Sequence, residues 1–215
     1  MSRLGRWMIV LFGALVILGC EQVFSSNLFT GLERDPSNLS LDQQIVYGEN
    51  ALASGDPEKM AKAYDALADS IEGTDDPEHN LLAADLALGA SDLQSVYDEV
   101  ISVALGDSDL SDQTALAAEL NGVLGDVDYD YVLEAQAQID AAEANGGTVS
   151  EEQYLLVAVG LMMQAGQTQG GIDALSAPAD APAADAWVND AITALAAQGE
   201  SSEYLDQLKG LPFIS

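Results

Sequence analysis

From Leu41 onward, apolar residues return every third or fourth position while polar residues fill the positions between, the 3.6-residue period of amphipathic helices. No alternating run of β-branched residues competes with it, so the pattern predicts an all-α chain. Start signals punctuate it. Asp56-Pro57 and Asp76-Pro77 each put an acid at an N-cap and proline at the first helical position, where the missing N–H costs nothing. Ser91-Asp92, Ser111-Asp112 and the capping box from Ser150 to Gln153 mark further starts. The expected helices run over 41–54, 57–72, 78–90, 92–105, 112–124, 128–144, 151–165, 168–176, 184–198 and 202–209, about 8–10 in all.

Within this pattern one unit recurs. The segments 45–56, 81–92, 115–126 and 156–167 align without gaps, each a helix ending in a small residue followed by a polar one. Gly55, Ser91, Gly125 and Gly166 are separated by 36, 34 and 41 positions, the first two close to one helix-turn-helix unit. The first unit carries Gly48, Ala51, Leu52, Gly55-Asp56, Ala61, Tyr64 and Ala68; the second carries Ala84, Ala87, Ser91-Asp92, Val96 and Val100. These residues resemble the tetratricopeptide repeat over 41–105, and more distantly over 106–176, where Asn121 takes a core position and Gly170-Gly171 interrupts a helix. The repeat's usual tryptophan is missing from every first helix. The resemblance implies a helix-turn-helix solenoid over 41–176, in which small residues let paired helices approach and first helices line a concave face. Asn50, Asp85, Glu119 and Gln164 are the expected partner-binding residues on that face. Beyond it, 177–215 reads as an exposed Ala/Pro hinge followed by capping helices, with Trp187, Val188, Ile192 and Leu195 on one stripe and Tyr204, Leu205 and Leu208 on the next.

The first forty residues break the helical pattern differently. Arg3 and Arg6 precede an apolar run from Trp7 to Leu18, the length of a signal-peptide core and short of the roughly 20 residues that span a bilayer. Ile17-Leu18-Gly19-Cys20 resembles the lipobox of bacterial lipoproteins, which implies cleavage after residue 19, acylation of Cys20, and a polar tether over 20–40. Cys20 is the only cysteine, so neither a disulfide nor a thiol pair is available and the mature domain must be held by packing.

Charge narrows the function. Six basic residues stand against 36 acids, and removal of the two leader arginines takes the net charge from −30 to −32. Such a surface repels nucleic acid and anionic headgroups. The acids are spread along the chain and lysine is scarce, the pattern of a surface suited to a high-salt medium, where the Debye length falls to about 3 Å at 1 M. Two runs concentrate the carboxylates, Asp107 with Asp109 and Asp126 with Asp128 and Asp130, and could gather around calcium. Neither has the glycine and glutamate of an EF-hand, and acids at helix starts are favoured by the macrodipole alone. His79 is the sole histidine and has no second nitrogen or sulfur ligand in reach of a motif. No nucleophile set or phosphate loop is recognisable, and few aromatics are present to stack a sugar.

The sequence therefore implies a non-enzymatic, cofactor-free adaptor of the cell envelope, held to a membrane through Cys20 and binding another envelope protein or peptide, its acidic face favouring a basic segment. The alternatives are a calcium- or small-ligand-binding lipoprotein and a passive structural one. Self-repulsion among the carboxylates predicts a melting temperature that rises between about 0.1 and 2 M KCl, followed by circular dichroism. A melting temperature independent of salt would contradict this reading of the charge.

Overall fold

The computed structural model describes residues 35–94, 96, 121–175 and 177–199. The expected leader, Cys20, most of the expected tether, most of 92–105 and 112–124, the Asp107–Asp109 run, Glu119 and the expected helix 202–209 lie outside them. Met1–Asn38 and Leu39–Ser215 are separate compact units. In the first, a 3-10 turn at Pro36–Asn38 is started by Asp35, whose Oδ1 accepts from the Ser37 amide at 3.0 Å and hydroxyl at 2.7 Å.

Among the described residues of the second unit every regular element is helical: α1 (Leu41–Ser54), α2 (Pro57–Ile71), α3 (Pro77–Ala90), α4 (Tyr129–Ala144), α5 (Glu151–Gln169) and α6 (Pro182–Ala197), with 3-10 turns at Ile172–Ala174 and Pro178–Asp180. The boundaries follow the start and stop chemistry. Gly55, at φ 63°, ends α1 and returns its N–H to the Leu52 carbonyl; no β-carbon obstructs that left-handed backbone. Asp56 then caps α2 by accepting from the Glu58 and Lys59 amides, and Asp76 and Asp128 cap α3 and α4 in the same way.

Helix α3 is the hub. It packs most extensively on α2 and α4 and also meets α1 and α5. Its Ala83, Ala84, Leu86 and Ala87 are wholly buried, so small side chains dominate the faces where neighbouring axes come close. Helix α5 is the second buried rod, with every residue from Gln153 to Met163 buried, the signature of a helix covered on all sides. Helix α6 lies on α5 through Trp187, whose Nε1 donates to the Tyr154 carbonyl at 3.1 Å. The Tyr154 hydroxyl donates to Glu143 of α4, tying the same residue to a second neighbour.

Three local expectations are corrected and a fourth, at Ser91, is extended. Helix α5 does not stop at residue 165: Gly166 stays helical and tucks beneath Ile172, and the left-handed cap falls at Gly170, φ 91°. The expected helix 168–176 is replaced by that cap and the 3-10 turn Ile172–Ala174, because Gly170-Gly171 cannot sustain a helix. The Ala/Pro stretch is not wholly exposed either. Ala181 is 1% exposed, and the Ala177 amide donates to Asp180 Oδ2 at 2.9 Å, making a short ordered turn into α6. Ser91, expected to begin a helix, caps the end of α3 and serves the next turn as well: its hydroxyl donates to the Leu88 carbonyl at 2.7 Å and accepts from the Leu93 amide at 3.2 Å.

Close packing of α5 makes Gly160 a demanding position in the core. A β-carbon there would stand 2.6 Å from Val132 Cγ1 and 3.0 Å from Leu93 Cδ2, and valine has little rotamer freedom to yield. Gly160→Ala is expected to cost about 1–3 kcal/mol in urea denaturation. Gly122→Ala, which meets open space, is expected to be neutral or stabilising; equal losses at both positions would contradict this packing.

Candidate functional site

A cleft of about 680 Å³ opens where the end of α1 and the start of α2 face α3 and the start of α5. Each wall has a local cause. The Gly55–Asp56–Pro57 turn brings Leu52 and Met60 to one side, and the N-terminal box of α5 brings Gln153 and Leu156 to the other. Helix α3 forms the base with Leu81, Asp85 and Leu88 at four- and three-residue spacing, one face of one helix. The lining is mixed, leucines and Met60 beside Gln94, Ser150 and Gln153, with three carboxylates set into it: Asp85 from α3, Asp92 just after it, and Glu152 from the first turn of α5.

Asp85 and Gln153 join the two sides. Gln153 Nε2 donates to Asp85 Oδ1 at 2.7 Å across a sequence separation of 68 residues. The other end of the same side-chain amide closes the capping box: Gln153 Oε1 accepts from the Ser150 backbone N–H at 2.9 Å and hydroxyl at 3.1 Å, while the Gln153 backbone N–H donates to Ser150 Oγ at 3.2 Å. Burial pushes the Asp85 carboxyl above its ordinary value, Gln153 pulls it partly back, and the charge of Glu152 raises it further. Among the described residues no basic side chain forms an ion pair with Asp85 or Glu152; Lys59 pairs with Asp56 at 3.6 Å, and His79 Nδ1 stands 3.6 Å from Asp76 Oδ2. Asp92 adds a conformational feature, since its φ of 59° makes it the one non-glycine residue at positive φ among those described.

Of the four expected partner-binding residues, Asp85 lines the cleft. Asn50 is exposed on α1 and turns its Nδ2 back to the Val46 carbonyl at 2.7 Å, and Gln164 is half-buried three turns along α5 from Gln153. The structure does not bring those two to the cleft, and Glu119 lies outside the described residues. Asp126, Asp128 and Asp130 are exposed; Asp128 is spent as the α4 cap, accepting from the Asp130 amide at 3.1 Å. Among the described residues no group of three or more His, Cys, Asp or Glu side chains is placed to hold a metal. His79 is partly exposed beside Asp76, Met162 and Met163 are core, and Tyr131 stands edge-on to Tyr64 with ring centroids 5.7 Å apart. Gln153, Met60 and Leu156 are cleft residues that the sequence pattern did not single out. The Ser150–Gln153 box marks the amide oxygen's job, but no spacing rule connects its nitrogen to Asp85.

No protein-family model matches the chain, and no curated protein or solved structure matches it. The cleft has to be read from its own chemistry.

A folded carboxyl raised above its unfolded value takes up its proton more readily folded than unfolded. Its contribution to stability is complete below about pH 3.8 and is lost as pH rises through the raised folded value. Asp85→Asn removes that loss while keeping an oxygen for Gln153. In urea denaturation at high salt, Asp85→Asn is expected to exceed the parent protein in stability at pH 7, with the difference closing towards pH 4. Gln153→Leu, which removes the cap acceptor and Asp85's donor together, should cost about 1–2 kcal/mol at pH 7. A less stable Asp85→Asn at pH 7 would contradict the assignment.

Proposed function

We propose that the protein is a lipid-anchored helical adaptor of the cell envelope, in which a tetratricopeptide-like array holds a segment of another envelope protein in the α1–α3–α5 cleft. The observation that carries the reading is the cleft itself, a base of one helical face with one apolar wall, one mixed wall and an inset carboxylate. Such a composition suits a peptide segment with both apolar and polar contacts. The absence of a recognisable nucleophile set or metal motif in the sequence supports a binding role. Attachment through Cys20, with cleavage after residue 19, supplies the membrane anchor that a chain of net charge −30 has no basic patch to provide. Among the described residues no helix is long and apolar enough to cross a membrane.

The test places a photo-cross-linking side chain at Leu81 in the full-length protein in its native membranes. A discrete adduct with one envelope protein is expected, lost when Leu52→Trp fills the cleft, while Cys20→Ser moves the protein to the soluble fraction. No adduct, or one indifferent to Leu52→Trp, would overturn the cleft as the docking site, and continued membrane attachment of Cys20→Ser would overturn the anchor.

A further inference from the structure

We infer that the cleft captures a single cationic side chain of its partner, a guanidinium or ammonium flanked by apolar residues, with Asp85 as its counter-ion. This rests on the cleft being the docking site.

Asp85 has no matching positive charge among the described residues. Its carboxylate is half-buried on a face otherwise made of Leu81 and Leu88, and its hydrogen bond comes from a neutral amide, Gln153 Nε2 on Oδ1. A carboxylate taken this far out of water is normally matched by a charge, and among the described residues no basic side chain pairs with it. The neighbouring Glu152 adds like charge, so the uncompensated potential at the cleft floor is negative. Gln153 is in turn held by Ser150, so the carboxylate is fixed in direction before any ligand arrives.

The walls set the shape of the occupant. Leu52, Met60 and Leu156 enclose the approach to Asp85, which favours a long aliphatic stem carrying its charge at the tip, with an apolar residue beside it. A bare metal ion would leave that apolar lining unused. Surface carboxylates elsewhere on the chain attract any cation over a distance that salt shortens to a few ångströms, whereas a partly desolvated pair is screened far less. Recognition through Asp85 should therefore survive at salt concentrations that abolish diffuse attraction.

The experiment uses full-length protein in detergent micelles and two peptides, acetyl-Leu-Arg-Leu-amide and the same peptide with citrulline, the neutral isostere of arginine. Binding is followed in about 2 M KCl by calorimetry and by amide chemical shifts of α3 and α5. The arginine peptide is expected to bind about tenfold or more tightly than the citrulline peptide. Asp85→Asn should erase that preference with the fold intact by circular dichroism, and Glu152→Gln should keep most of it. Equal affinities for the two peptides, or a preference that survives Asp85→Asn, would overturn the inference. So would failure of both peptides to bind; if the Leu81 cross-link still forms in that case, the adaptor reading stands and only the cationic specificity falls.

Discussion

One amide side chain does two things on which the cleft depends. The oxygen of Gln153 satisfies the first turn of α5 through Ser150, and its nitrogen reaches Asp85 on α3. A glutamate at the same position would serve the capping box equally well. It would also put a second negative charge against Asp85 and leave that carboxylate without a donor. Glutamine is the residue that begins the helix, links the two buried rods of the fold and fixes the carboxylate between them. The wall and the floor of the cleft are set by the same contact.

That contact matters because acids far outnumber bases along the chain. With six basic residues against 36 acids, attractive ion pairs are few and the folded surface repels itself. Stability has to come from the core around α3 and α5, where alanine and glycine allow close approach and Trp187, Tyr154 and Leu161 fill the remaining volume. In such a chain an inset, half-buried carboxylate is a cost to folding, which the proposed docking of a cationic side chain would offset.

Helices were legible where their punctuation is local. Asp56-Pro57, Asp76-Pro77 and the Ser150 box each announce a start from within a few residues, and those starts stand within a residue of the observed ones. Punctuation failed where a glycine had two possible uses. Gly166 looks like a stop, but it is a packing position beneath Ile172, and the stop is Gly170. Ser91 likewise reads as a start while closing α3 with the other side of its hydroxyl. The recurrence near 36 residues implies hairpins, of which α1–α2 is the one among the described residues, yet spacing alone does not say that α4 comes to lie along α3. For the same reason Asp85 could be placed on a lining face, whereas its partner 68 positions away could not. Asn50 and Gln164 stand at the sixth and ninth positions of their aligned segments, whereas Asp85 stands at the fifth, and neither reaches the cleft.

The central claim, a carboxylate held partly out of water and waiting for a cation, is most directly tested by titrating the Asp85 side chain itself. Its carboxyl carbon can be followed by NMR in the full-length protein at high salt, alone and with an arginine peptide bound. The account predicts a pKa above the ordinary 3.8 in the free protein, because burial opposes the charge, and a fall when the guanidinium arrives. A pKa at or below 3.8 in the free protein, or one that the bound peptide leaves unchanged, would contradict it.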